Sequence, residues 1–488
     1  MTSLALANSC FLIPIHMATK QPVQPRPSLS NIRVAIEEDK TPPLSDKRRV
    51  LRNLLVLSMS FLLLFTAYQS LQNLQSSINA EGGLGTVSLA TAYTALVTSC
   101  MFLPSYMICR LGLKYTMVSA ICMYLLYFFA NMKPMWFTLL PASFILGVGG
   151  APLWTAKCSY LTAQAHLYAD LVGALDAAPF VTGFFGIFFM LFQTAQIWGN
   201  LTSYLVLRSS DSPDAVDTSN LRLCGSSFHP KADVKQLNST KLGSVTSLQI
   251  LTLSGLYACL GISAILIMVL FLDPISNELM ETSPPLRYIT ETIDHMRNAY
   301  QLLIIPLTIY SGMQQAFLWG DFTQAFVGCS WGVQYIGFVM MAYGVMDSIC
   351  SMLFGLLMRR VGRVSLVLTA AVLDLAMMVH MVLWKPMAED LFNYFLIAIL
   401  WGVADASWQT QINSFYSIVF TDTRNAAFAN YRLWEAVGFI IMFSVQSVFR
   451  FSVKIAGLMI GLLIGIIGYL VIEFHSNTYR TPTLRGRY

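Results

Sequence analysis

Twelve apolar runs, each near the length that crosses a lipid bilayer, fill most of this sequence and leave it few ways to fold. A membrane-spanning helix needs about 20 mainly apolar residues. Such runs fall near 52–75, 86–109, 115–131, 135–160, 177–206 and 247–272. After a polar stretch they resume near 299–320, 331–357, 364–384, 391–418, 425–449 and 452–474. Of the 488 residues 56% are hydrophobic and only 11% charged, against roughly 25% charged in ordinary soluble domains. One aqueous core cannot hide that much apolar surface, so lipid is the remaining solvent. The expected fold is an all-α membrane protein.

The distribution of Lys and Arg predicts the orientation. With the first residue inside, nineteen fall on cytoplasmic segments and nine outside. Five of the nine lie in the 207–246 loop or at its edge, leaving Lys133, Lys385, Arg450 and Lys454 for the short outer turns. Both termini therefore read as cytoplasmic. Trp136, Trp198, Trp319, Trp331 and Trp384 fall at the outer helix ends, as an interfacial aromatic belt requires.

The domains read as follows. Residues 1–50, polar and ending in Asp46-Lys47-Arg48-Arg49, form a disordered cytoplasmic tail. Its apolar patch from Cys10 to Met17, broken by Pro14, is too short for a cleaved signal, so the first span serves as the anchor. A six-helix half at 51–272 contains the large outer loop 207–246. A cytoplasmic linker follows at 273–298, then a second half at 299–474 and a cytoplasmic tail at 475–488.

No HExxH, Walker loop, GxSxG elbow or zinc spacing occurs, and the six histidines are scattered. No catalytic group, cofactor or metal site is expected. The net charge of +5 is spread over ends and loops, which gives no reason to expect nucleic acid.

Nine cysteines include no CxxC pair. Cys100, Cys109, Cys122, Cys158, Cys259 and Cys350 lie in apolar runs and read as small buried hydrophobes. Cys224 and Cys329 are the two placed in outer segments, an oxidising side, and are expected to form a disulfide; free thiols or pairing with a partner chain are the alternatives. Asn238-Ser239-Thr240, in the middle of the outer loop, is the expected N-glycosylation site. Asn200-Leu201-Thr202 is a weaker one, too near the end of its span.

Compared with itself at an offset of 250, the chain repeats. Ala92, Tyr93, Cys100, Leu103, Arg110, Gly112 and Ala120 meet Ala342, Tyr343, Cys350, Leu353, Arg360, Gly362 and Ala370. Thr66-x-Tyr68-x-x-Leu71-Gln72 on span 1 answers Thr308-x-Tyr310-x-x-Met313-Gln314 on span 7. Gly147-Val148-x-x-Ala151 on span 4 answers Gly402-Val403-x-x-Ala406 on span 10. Spans 1 and 7 run the same way, so the halves are parallel repeats, which is the major facilitator architecture. The signature turn of that architecture reads Gly-x-Leu-x-Asp-Arg-x-Gly-Arg. The second copy here reads Gly355-x-Leu357-x-Arg359-Arg360-x-Gly362-Arg363, and Cys109 holds the acidic position in the first. The acid is missing from both halves, which weighs against ordinary alternating-access transport.

Ionisable groups at membrane depth cost at least about 2.5–3.5 kcal/mol on insertion scales, so each needs a partner or a wet cavity. Asp405 lies near the middle of span 10 with Trp408 and Gln409 beside it; Arg432 and Glu435 are i, i+3 neighbours on span 11. Lys157, on span 4, is flanked by Trp154 and Tyr160. In the major facilitator arrangement spans 1, 4, 7 and 10 line one cavity, which would gather Gln72, Lys157, Gln314 and Asp405. A solute site and a structural pairing, Asp405 with Arg432 among them, are both open. Asp347 on span 8 and Asp374 on span 9 are harder to place, and Asp374 has no evident partner.

Three long motifs carry a specific resemblance. They are Ala151-Pro152-Leu153-Trp154-x-Ala156-x-Cys158-x-Tyr160-Leu161-Thr162, Leu400-Trp401-Gly402-Val403-Ala404-Asp405-Ala406 with Trp408-Gln409-Thr410-Gln411, and Asn425-Ala426-Ala427-Phe428-Ala429-Asn430-Tyr431-Arg432-Leu433-Trp434-Glu435-Ala436. With Leu62-Leu63-Leu64-Phe65-Thr66-Ala67-Tyr68, the chain from about Leu51 to about Phe474 resembles the uncoordinated-93 (unc-93) family, nearest its vertebrate A-type branch. The resemblance implies a non-enzymatic subunit of the plasma membrane that regulates two-pore-domain potassium channels, or chaperones other membrane proteins. A secondary transporter of a small polar or charged solute is the alternative. The partners implied are the lipid bilayer and a potassium channel or other membrane protein, with a small solute in the second case.

Overall fold

The computed structural model describes residues 44–100, 103–174, 178–208, 223–230, 245–275, 293–387, 389–420 and 424–480. The tail 1–43, Asn238 with most of its loop, the middle of the 273–298 linker and residues 481–488 lie outside them.

Twelve long helices follow one another among the described residues. The first six are α1 (Leu44–Ile78), α2 (Leu84–Cys100), α3 (Leu103–Ala130), α4 (Trp136–Leu171), α5 (Ala178–Leu207) and α6 (Ser247–Phe271). The second six are α7 (Ala299–Gly328), α8 (Gln334–Val361), α9 (Arg363–Leu383), α10 (Leu391–Val419), α11 (Arg424–Gln446) and α12 (Phe451–Arg480). Nine are individually long and apolar enough to cross a membrane. Of the other three, α2 has 17 residues, α5 (Ala178–Leu207) has 30 mostly apolar ones, and α11 carries Arg424, Arg432 and Glu435. All three pack against neighbouring helices of the bundle.

Three boundaries differ from expectation. Helix α1 starts at Leu44, so the polar tail ends sooner than residue 50. Asp46 in its first turn suits the positive end of the helix dipole. Arg49 and Arg52 then reach Asp273, just past α6, at 2.7 Å each. Helix α4 continues beyond residue 160 to Leu171 and buries Gln164, Ala165 and Ala169 on the way. The second span is finished by residues 103–111, because α3 breaks at Gly112 with φ 73° and ψ 170°.

That break shows the repeat in the backbone. Gly362, the partner of Gly112 at offset 250, has φ 82° and ψ 159° between α8 and α9. Non-glycine residues essentially never occupy this region. The packing repeats as well. In the first half α1 packs on α5 and α6, α4 on α2 and α3, and α3 on α6; in the second α7 packs on α11 and α12, α10 on α8 and α9, and α9 on α12. The halves meet through α2 with α11 and α5 with α8, which again are equivalent pairs. Gly147 and Gly402 sit at matching close approaches: an added Cβ would lie 2.0 Å from the Ala92 carbonyl oxygen and 2.7 Å from that of Tyr343.

With lipid as the outer solvent, polar side chains hold helices together from within. The Asn73 amide on α1 donates to Gln196 (3.2 Å) and Asn200 (3.1 Å) on α5, Tyr257 on α6 donates to Ser70 (2.6 Å), and Gln75 donates to Asn131 (2.7 Å).

The two ends of the bundle differ. One carries the start of α1, the end of α12 and the glycine turns. The other carries a disulfide between Cys224 and Cys329, whose Cα atoms are 5.7 Å apart. Here the second part of α7, Phe317–Gly328, is π-helical, and it meets the end of α1 where Ser76 and Thr323 lie 3.5 Å apart. Hydrogen bonds that join the halves gather at this end. Lys454, assigned from sequence to a short outer turn, is buried and paired with Asp321 on the π-helical stretch, and it also donates to the Gln446 carbonyl at 3.0 Å.

Two cysteine expectations are corrected. Cys109 is disulfide-bonded. Cys100, Cys122, Cys158 and Cys259 are exposed, and only Cys350 of the group is a buried free thiol. A hydrophobic residue here can face lipid as readily as the core, so an apolar run does not imply burial.

Candidate functional site

The bundle interior holds a polar network assembled from five helices of the second half. On α10, Trp401, Asp405 and Trp408 recur at i, i+4 and i+7, which puts them on one helix face. On α7, Tyr310 and Gln314 are likewise i, i+4 neighbours. The Gln314 amide donates to Asp405 Oδ1 at 2.6 Å and accepts from the Trp401 indole at 2.5 Å. The Tyr343 hydroxyl on α8 donates to Asp405 Oδ2 at 2.6 Å. Both oxygens of Asp405 are thus held by neutral donors, and the carboxyl is buried.

Asp374 on α9 has partners that the sequence hid. Tyr310 and Trp408 both donate to its Oδ2, at 2.6 and 2.8 Å. Its Oδ1 has no hydrogen-bond partner. Asp347 on α8, also buried, accepts from Ser351 at 3.3 Å. Three acids on α8, α9 and α10 therefore line the middle of this half, and among the described residues none forms an ion pair.

The cation on α11 is taken by its own helix. Arg432 pairs with Glu435 at 2.7 Å, Tyr431 donates to Glu435 at 2.9 Å, and the Gln409 amide on α10 donates to it at 3.4 Å. The expected pairing of Asp405 with Arg432 is not formed. Glu435 lies within one helical turn of Arg432 and competes at no entropic cost in bringing helices together. The Arg432 side chain keeps 53% of its surface accessible, so at mid-helix it faces open space between the helices rather than the packed core.

The first half is built differently. Gln72 donates to Tyr93 at 3.0 Å. These are the repeat partners of Gln314 and Tyr343, and the position equivalent to Asp405 is Gly150. One half thus holds Gln and Tyr through an acid, and the other bonds them directly. Lys157 joins neither group. Its ammonium is buried among the rings of Trp154, Phe185, Phe188 and Phe189, 4.6 to 5.3 Å from their centroids. Ring faces attract cations by about 0.5–2 kcal/mol each, which substitutes for a carboxylate. Tyr160, the other flanking aromatic, instead donates to the Asp273 carbonyl at 2.8 Å. Gln72, Lys157 and the Gln314–Asp405 pair thus each have their own immediate partners.

Tyr343, Tyr93 and Trp401 were missed as site residues, although the offset-250 match had already paired the two tyrosines. Asn200 is withdrawn as a glycosylation acceptor: it is buried, and its amide donates to the Gln196 carbonyl at 2.7 Å. Asn238 lies outside the described residues.

The profile of the family "Ion channel regulatory protein UNC-93" matches residues 75–470. Protein unc-93 homolog A of Xenopus laevis is 40% identical over 431 residues, covering 87% of this chain and 93% of that protein. The Homo sapiens homolog A gives the same identity and coverage. The Caenorhabditis elegans unc-93 protein, provisionally named a potassium channel regulatory protein, is 36% identical over 437 residues, covering 88% of this chain and 61% of that one. The fold is that of the nucleoside transporter NupG (TM-score 0.56, 12% identity, 87% of this chain and 98% of that one). It is also that of the inward-open xylose transporter XylE of E. coli (TM-score 0.54, 15% identity, 87% and 95%). With a profile match over most of its length and relatives at 40% identity, the chain belongs to the UNC-93 family.

Proposed function

We propose that this protein is a non-enzymatic membrane subunit that modulates the activity or trafficking of a potassium channel. The observation that carries the reading is the relationship to the UNC-93 family, including the worm protein provisionally named for potassium channel regulation. The interior supports it. A transporter's binding residues must exchange partners as it cycles, whereas Asp405 has both oxygens occupied by Gln314 and Tyr343 within the protein. The test is solubilisation of membranes and capture of the full chain beside uptake of nucleosides and sugars by the purified protein in liposomes. A co-purifying potassium channel with no saturable uptake is expected; saturable uptake with no channel would overturn the reading.

A second reading, secondary transport, is favoured by one observation, the accessible Arg432 guanidinium deep in a major facilitator bundle. The same uptake assay decides it.

The reading extends to topology. Both termini face the cytoplasm of a plasma-membrane protein, and the end that carries Cys224 and Cys329 faces out. Asn238 then carries the glycan. Asn238→Gln is expected to abolish the glycosidase-dependent gel shift, and an unchanged shift would contradict this orientation.

A further inference from the structure

At the end of the bundle that carries the chain termini, a cavity of about 270 Å³ opens between the Gly112 turn and the segment after α6. Its lining includes Arg110, Gly112, Lys114 and Tyr115 on one side and Pro274 and Ile275 on the other. The positive φ of Gly112 turns the chain sharply here, which puts the two cations on either side of the turn and on one cavity. Arg110 is exposed, and its guanidinium lies 5.9 Å from the ring centroid of Tyr106. The Lys114 ammonium lies 5.7 Å from that of Tyr115 and donates to the Val269 carbonyl at 2.8 Å.

Neither cation forms an ion pair among the described residues. The opposite case stands in the second half, where Arg363, next to the equivalent glycine, is paired with Glu473 at 2.7 Å. The acid that the signature turn would place beside Arg110 is Cys109. Among the described residues no acid lines this cavity, so its two cations favour an anion. The surroundings say which kind. Leu111 and Tyr115 of the lining expose 45% and 55% of their surfaces, and Tyr106, beside Arg110, exposes 51%; exposed tyrosines beside basic residues are the pattern of the membrane–water interface.

We propose that this cavity binds the phosphate of an anionic lipid headgroup, with Arg110 and Lys114 as its charge partners and Tyr106 and Tyr115 against the glycerol and upper acyl region. Basic pockets between spanning helices on the cytoplasmic side suit such headgroups, and the proposed topology puts the cavity in that leaflet. The shared chemistry with free phosphate is the anion; the exposed aromatic rim selects the lipid.

The test uses the full-length protein in neutral detergent, titrated with dioctanoyl phosphatidylglycerol, dioctanoyl phosphatidylcholine or inorganic phosphate, and read by thermal unfolding and native mass spectrometry. Phosphatidylglycerol is expected to raise the melting temperature and remain as an adduct, while phosphatidylcholine and phosphate do neither. Arg110→Gln, at an exposed position without an ion pair, is expected to weaken phosphatidylglycerol binding about fivefold, at roughly 1 kcal/mol per basic residue. Arg450→Gln, at the other end, is expected to leave it unchanged. Equal binding of both lipids, or of phosphatidylglycerol to wild type and Arg110→Gln, would overturn the site. A response to inorganic phosphate matching that to phosphatidylglycerol would overturn the lipid.

Discussion

Asp405 is held by the Gln314 amide and the Tyr343 hydroxyl, so removing its carboxyl strands two buried donors. Each costs about 1–3 kcal/mol unpaired. Asp405→Ala should therefore lower thermal stability in detergent by about 2–6 kcal/mol. Arg432 shares no bond with Asp405, so Arg432→Gln should not rescue it. Arg432→Gln and Glu435→Gln should instead couple strongly, and a rescue of Asp405→Ala by Arg432→Gln would contradict the network described. At the terminal end, burial tends to raise the Asp273 pKa, but hydrogen bonds from Arg49 and Asn53 and the charges of Arg49 and Arg52 outweigh it and hold it below the usual carboxylate range. A depressed carboxyl adds stability above its unfolded pKa of about 3.9 and loses it as pH falls through the folded value. Wild type should thus outlast Asp273→Asn above about pH 3.9, with the difference shrinking as pH falls below that value. A difference that does not shrink as the solution is acidified would contradict the pairing. These residues were unequally legible. Asp405 and Glu435 announce themselves as acids in apolar helices, but the partners of Asp374 are 64 and 34 positions away on residues that look apolar in a span. Periodicity records which face a side chain is on, not which atom it meets.

Among the elements, the second part of α7 departs most from regularity. Twelve residues from Phe317 to Gly328 are π-helical, a rare form usually found at functional positions. The stretch turns Asp321 toward Lys454 on α12, Thr323 toward Ser76 on α1, and leads into Cys329 and its disulfide. Removing one member of a buried pair typically costs about 3–5 kcal/mol. Lys454→Met should destabilise the protein by that order, and Asp321→Asn in addition should recover part of the loss, measured by thermal unfolding. Additive losses would show that the pair is not coupled. All twelve helices were legible as apolar runs, because each must supply its own apolar length. The π-helical winding was not, since it depends on what Asp321 and Thr323 meet, and neither was the extent of α4 past the bilayer length to Leu171.

At the scale of the whole molecule, the duplicated architecture was the most legible feature. The offset-250 match anticipated equal packing pairs in the two halves and the equal turns at Gly112 and Gly362. What the offset could not show was divergence in use: Asp405 stands in one half where Gly150 stands in the other. The first half keeps Lys157 in an aromatic cage, and the second gathers three acids without ion pairs among its described residues. Hydrogen bonds between halves gather at the disulfide end, so this end is where they are tied together. A channel-modulating role rests on the family relationship rather than on this shape, because one fold serves many functions. The most direct test is the potassium conductance of cells that express this protein, measured before and after its depletion and again after the full chain is restored. The account predicts that conductance changes on depletion and returns with the wild-type chain. An unchanged conductance, together with saturable solute uptake lost on depletion and regained on restoration, would contradict it.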